Sequence, residues 1–375
     1  MTLRTSFAVL VFVAAAALPS ATLAADVKFA DVVELSGNGA TVGTAWRNGV
    51  DMAVAEINAK GGILGQKIAL QHYDTQTDPA VSRAQVQKAL DDEPYVIIGP
   101  IFSSSVSVNM PLAQQAGVPQ FTGAAAPVVT NSGNPTIFRT VVGQSISIPQ
   151  SVAYLQEVLK AKKVAVIWSN DDFGKGGRDV FVKAAADRKL QIVANQPTEN
   201  GQADFTSDIV KLKNADADAI YLMLHEEEGA RFIREARQQQ LKAVLYGEQT
   251  ILNPKTIELA GVAANGIRGQ LSITAATPIP LVQDFVKRFE ARFGSKPDHN
   301  GIQGYMIPYM IKVVTQKVGK FDRDALVKGL KTEKFDPKVE PGLLVESFFR
   351  ENGDIVTQAF FGEVEDGRVK VIEAK

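Results

Sequence analysis

Three short segments combine residue types able to hold a small charged molecule. In Gly99-Pro100-Ile101-Phe102-Ser103-Ser104-Ser105, serine hydroxyls stand where a helix begins. The first N–H groups of a helix have no intrahelical partner and carry partial positive charge. The spot suits a carboxylate, although serines there also serve as ordinary helix caps. In Thr122-Gly123-Ala124-Ala125-Ala126-Pro127, small side chains let a ligand reach main-chain N–H and C=O groups, and a tight loop has the same composition. Gly247-Glu248-Gln249 sets a carboxylate after an apolar stretch, where it can pair with a ligand ammonium or stand solvated in a loop.

Enzyme chemistry is not assembled. The chain has no cysteine, so thiolate nucleophiles, disulfides and cysteine-ligated metals are absent. His72, His225 and His299 lie far apart, without metal-ligand spacing. Gly37, Gly39 and Gly43 sit between a strand and a helix, but the third glycine falls one residue late for a dinucleotide fingerprint, and a sharp turn is the better reading. Glu226-Glu227-Glu228 reads as first-turn acids favoured by the helix dipole rather than as a cation site. The expectation is a protein with no catalytic residue, no metal and no cofactor. With 40 basic and 41 acidic side chains in 375 residues, it has no field for binding nucleic acid.

These segments need a frame, and the chain supplies alternating strands and helices. Residues 27–35 read as a strand followed by a Gly-rich turn. In 44–59, Val50, Ala53, Val54 and Ile57 fall on one helical face, and Gly61-Gly62 ends it. Residues 68–73 are the next strand, and Asp78-Pro79 is an N-cap and N1 pair. The continuous apolar run 95–99 suits a strand buried on both faces. After a break near 141–147 the rhythm resumes with a strand at 164–168, a helix from Asp172, a strand at 219–224, a helix at 226–239 and a strand at 244–246. Such alternation means βαβ units, hence an α/β fold of two lobes with parallel sheets. Beyond Thr274 come helices at 280–293 and 300–318 and β-like segments near 343–349, 356–362 and 369–373, which periodicity assigns to neither lobe.

The first residues address the compartment. Arg4 is the only charge before Asp26, an apolar stretch covers 7–18, and small residues follow Pro19. This describes a secretory signal peptide, residues 1–24, cut after Ala24 or Ala25. The stretch falls short of the ~20 apolar residues that span a bilayer. The expectation is a soluble periplasmic protein, with no cysteine at the cut to carry a lipid anchor.

The segments and their order resemble the type I periplasmic binding proteins of the leucine/isoleucine/valine class. The likeness rests on Leu35-Ser36-Gly37, on Ala55-Glu56-Ile57-Asn58-Ala59-Lys60-Gly61-Gly62-Ile63 with Gly65 following, and on 99–105. Further matches are Ala126-Pro127, Asp172-Phe173-Gly174-Lys175-Gly176 and Ile233-Arg234-Glu235-Ala236. It implies two Rossmann-like lobes, 25–143 with 274–350 and 144–273 with 351–375, joined by three crossover strands and closing on a ligand. It also implies a monomer that delivers a branched-chain or related amino acid to an inner-membrane ABC permease. By position, Ser103 and the Ala125 N–H would hold the ligand carboxylate, and the Gly123 carbonyl and Glu248 its ammonium. Phe102, Phe173 and His225 would line the side-chain pocket. Ala125 replaces a threonine of the amino-acid binders and Val42 replaces an aromatic, so a carboxylate lacking an amino group is the alternative ligand, and a ligand-sensing module the alternative role.

Overall fold

A computed structural model describes residues 26–372; the expected signal peptide and its cleavage point lie outside the described residues. In β1 (Val27–Val33), Phe29 and Val33 enter one apolar cluster while Ala30 and Val32 enter another. Alternate side chains of a strand face opposite sides, so this strand is covered on both faces by helices. With β2 (Ile68–Asp74), β3 (Val96–Ile98), β4 (Gln120–Thr122) and β5 (Ile137–Arg139) it forms a parallel sheet in the order β2-β1-β3-β4-β5.

A second parallel run contains β6 (Lys163–Ser169), β7 (Gln191–Thr198), β8 (Ala219–Met223), β9 (Val244–Gly247) and β10 (Arg268–Leu271). The chain then returns to the first sheet. Helices Pro280–Phe293 and His299–Val318 put Val282, Phe285, Ile302 and Tyr305 into the same core as Phe29 and Trp46. Helix His299–Val318 lies close against helix Ala40–Ala59, because a Cβ on Gly49 or Gly304 would collide with main-chain atoms of the other helix. A small antiparallel sheet follows, made of β11 (Lys334–Phe335), β12 (Ser347–Phe349) and β13 (Ile355–Thr357). Finally β14 (Phe360–Glu365) and β15 (Arg368–Ile372) add antiparallel to the second sheet, giving β15-β14-β10-β9-β8-β6-β7. The chain thus passes between the sheets three times, after β5, β10 and β13.

Both sheets reverse their strand order, the first between β1 and β3 and the second between β6 and β8. Loops leaving the carboxyl ends at such a reversal diverge to opposite faces and leave a crevice, the usual ligand position in open α/β sheets. The loops concerned lead into helices whose first residues include Val42, Ser103 and Phe173, and His225 is the N-cap of the helix after β8.

Most expected elements are present with shifts of a few residues, but the β-like segment expected near 356–362 is the end of β13 and the start of β14, which lie in different sheets; Asp78 caps its helix by accepting from the Val81 N–H at 2.9 Å. Sequence reasoning passed over β7, whose side chains are mostly half-exposed or exposed and show no apolar run. It also read 141–147 as a break. Only 140–143 is a connection; helix Gln144–Glu157 starts immediately after it and accommodates Pro149 in its interior.

One polar cluster ties β1 to its neighbours. Trp46 donates to the buried Asp31 carboxylate at 3.2 Å, and His72 bridges Asp31 at 2.7 Å and Asp51 at 2.9 Å. Burial opposes the His72 imidazolium, but the bonds and charges of the two aspartates outweigh it and raise its pKa to about 9. Since an unfolded histidine titrates near ~6.5, this contribution to stability is complete below that pH and is lost as pH rises toward 9. Urea midpoints should therefore fall between pH 7 and pH 9.5, and fall measurably less in His72→Gln; an identical pH profile in the variant would remove the assignment.

Candidate functional site

The first wall of the cleft is built on a buried carboxylate. Glu34, just past β1, accepts from the N–H groups of Ile101 and Phe102, both at 3.1 Å. Burial raises its pKa to about 7 against those two bonds. It fixes the loop after β3, so that the next N–H groups, from Ser103 onward, open helix Ser103–Gln115 at the cleft. Phe102 occupies the N-cap position without a side-chain bond. The Ser103 hydroxyl does not cap its helix; it accepts from the Ala126 N–H at 3.3 Å.

The neighbouring loop is oriented from behind by a buried cation. Arg139, at the end of β5, donates through Nη1 to the carbonyls of Ala125 at 2.6 Å and Ala126 at 2.8 Å. Its Nε donates to Asp354 at 2.7 Å, and Nη2 reaches Asp354 and Thr130. Drawing these carbonyls to one side leaves other groups for the cleft: among the described residues neither the Ala125 N–H nor the Gly123 carbonyl has a hydrogen-bond partner.

The second wall comes from the ends of β6, β8 and β9. Asp171 caps helix Asp172–Asp187 by accepting from Gly174 at 2.9 Å, which presents Phe173 in the first turn. The same carboxylate meets His225 Nε2 at 2.6 Å. Burial works against a charged His225, but Asp171, helped by Glu228 and Glu226, prevails and raises its pKa to about 9. The imidazolium is stacked on Phe102 of the first wall at 4.7 Å between centroids and lies 5.0 Å from Phe173, tilted 32°. A cation against aromatic faces is an attractive contact, and here it bridges the lobes.

Glu248 follows β9 and is buried, 5% exposed, not the solvated loop acid its neighbours in sequence would allow. Tyr221 donates to its Oε1 and Ser147 lies at 3.5 Å from the same atom. Burial raises its pKa to about 7, opposed by these two hydroxyls. No cationic side chain of the described residues pairs with it. The lobes meet elsewhere too: the Asp172 N–H donates to Ser104 Oγ at 3.2 Å, and Asn253 donates to Asp298 at 2.9 Å.

Between the walls lies a narrow cleft. Ser103, Phe102, Gly123, Ala125, Phe173, His225 and Glu248 all line it, as does Val42. Sequence reasoning missed Glu226, His299 and Asn300, which share the lining. Glu226 does open its helix as a first-turn acid, yet it is buried, and Glu228 is buried too, accepting from Ser169 at 2.6 Å and from the Gly201 N–H. Glu34, Arg139, Asp354 and Tyr221, which orient the lining from behind, carry no local signal of that role.

Two parallel-sheet lobes around a cleft at their switch points define a protein that encloses a small solute. The profile of the family described as "Periplasmic binding protein" matches residues 26–368. This chain belongs to that family, in the type I class that contains the branched-chain amino acid binders; it is a solute-binding protein of ABC transport and not an enzyme. The Leu/Ile/Val-binding protein of Escherichia coli K12 is 30% identical over 254 residues, 68% of this chain and 69% of its own length. The branched-chain amino acid transporter substrate-binding protein of Streptococcus pneumoniae, solved with isoleucine, superposes with a TM-score of 0.84 at 23% identity, covering 92% of this chain and 99% of its own. A solute-binding protein of R. palustris, solved with benzoate, gives 0.84 at 20% identity, with 92% and 95% covered.

Removing one member of a buried ion pair strands the other and typically costs about 3–5 kcal/mol. Arg139→Met should lower unfolding free energy by about that much in urea titrations, and Asp354→Asn, which keeps a hydrogen-bonding partner, by less. A loss under about 1 kcal/mol for Arg139→Met would show that the pair does not hold the loop.

Proposed function

We propose that this protein captures a small amino acid, branched-chain or related, in the interlobe cleft and delivers it to an inner-membrane permease driven by an ATPase. It would do so in the periplasm, after loss of residues 1–24. The supporting observation is Glu248, a buried carboxylate with an oxygen free and no cation of the protein beside it, across the cleft from the N-terminus of helix Ser103–Gln115. A buried carboxylate without a cationic partner is costly, and a ligand ammonium supplies one. The ligand carboxylate would rest on Ser103 and the Ala125 N–H, and the Gly123 carbonyl would share the ammonium. Because these groups belong to different lobes, only the closed arrangement satisfies both ends, and binding draws the population toward it.

A second reading has support of its own. Ala125 offers no hydroxyl to an ammonium, Glu248 can stay protonated near neutrality, and a relative in fold holds benzoate. A carboxylate without an amino group would use the Ser103 end alone.

The two readings diverge with pH. Glu248 ionises near pH 7 rather than near the usual 4.5, so an ammonium ligand must displace its proton at lower pH. Amino-acid affinity should fall as pH drops from 7.5 to 5.5, by up to about tenfold per unit, whereas benzoate affinity should hold or improve. Ser103→Ala should cost roughly 1.5–3 kcal/mol of binding, since the hydroxyl donates to a charged acceptor, and Glu248→Gln at least as much for an amino acid. Calorimetry showing unchanged amino-acid affinity in Glu248→Gln would eliminate the ammonium assignment.

A further inference from the structure

Glu226 stands in the same cleft and is used by neither end of the proposed amino acid. It opens helix Glu226–Gln238, is 8% exposed, and its carboxylate bonds to no other residue among those described. His299, on the facing lobe, is 6% exposed and its ring likewise has no hydrogen-bond partner. Both line the cleft. Two largely buried polar side chains without a hydrogen-bond partner in the protein therefore stand on the lining of the space a ligand would fill, where a hydrogen-bonding guest can satisfy them.

The surrounding charges specify the sign of that guest. His225 is committed to Asp171 at 2.6 Å. His299 is kept neutral by burial, against the pull of Asp298. Asn300 turns its amide nitrogen to Asp298 at 3.1 Å. Asp298 is bonded to Asn253, Asn300 and the Gly301 N–H, and its charge acts on Glu226 across the closure. The lobes thus bring Glu226 and Asp298 together, and the nearby cation, His225, whose charge favours the ionised Glu226, is already bonded to Asp171. Phe102 and Phe173 beside His225 offer apolar faces for the carbons leading to this point.

We infer that the ligand brings a second N–H donor, an amino or amide group at the end of its side chain, and that Glu226 receives it. This rests on the amino-acid reading above and narrows it from aliphatic to nitrogen-bearing side chains. A purely aliphatic side chain would leave Glu226 and His299 without partners.

Pairs of amino acids matched in shape test it by calorimetry: ornithine against norleucine, and asparagine against leucine. In the unmodified protein the nitrogen-bearing member of at least one pair should bind at least about tenfold more tightly, the worth of one hydrogen bond to a charged acceptor. Glu226→Leu should abolish that advantage while leaving norleucine and leucine unchanged or tighter. Glu226→Gln should weaken ornithine more than asparagine, and melting curves establish that both variants fold. Equal or tighter binding of norleucine and leucine, survival of the preference in Glu226→Leu, or no binding by any nitrogen-bearing probe overturns the inference. δ-Aminovalerate against hexanoate separates it from the reading it rests on. If δ-aminovalerate wins through Glu226 while ornithine fails, the α-ammonium assignment falls and the Glu226 inference stands; if leucine and norleucine win, the reverse holds.

Discussion

The interaction on which the cleft depends is the burial of Arg139 against Asp354. A guanidinium removed from water needs its donors satisfied, and this one satisfies them with the carboxylate, a threonine hydroxyl and the carbonyls of the loop that faces the cleft. The same bonds that make the cation tolerable also set which way each peptide of that loop points. Site geometry and core electrostatics are therefore one arrangement. Glu34 does the complementary work one strand over, with an anion gathering N–H groups where Arg139 gathers carbonyls.

A consistent division of labour follows. Charges satisfied by the protein itself, such as Asp171 with His225 and Asp298 with Asn253, hold loops and lobes in register. Carboxylates with no hydrogen-bonded cation among the described residues, Glu248 and Glu226, stand on the lining. Burial pushes both toward the protonated form near neutrality. The cleft is thus polar at more than the two ends proposed to anchor the ligand, unlike a pocket shaped for a branched aliphatic chain alone.

Much of this was legible from local pattern. Apolar runs at strand positions, the Asp78-Pro79 cap and the serines after Gly99 are short-range signals, and each marks an element or its end. Seven residues singled out at strand ends or through the family likeness come to one cleft, because strand carboxyl ends converge wherever the sheet order reverses; their contacts with a ligand are proposals. What escaped was long-range. Arg139 and Asp354 are separated by 215 positions, and nothing near either residue announces the other. Glu226 reads as a dipole-favoured first-turn acid because such arguments know only the residue's own helix, whereas its burial in the cleft is set by residues distant in sequence. β7 was missed since an edge strand with few buried side chains lacks the hydrophobic signature of its class.

The three passages of chain between the sheets have a mechanical consequence. A single tether would leave the halves free to swivel and slide; three tethers restrict both. With fewer directions left to any opening of the cleft, the separation of the outer surfaces would follow the state of the cleft more closely. A membrane partner that touches both surfaces can read occupancy as a length.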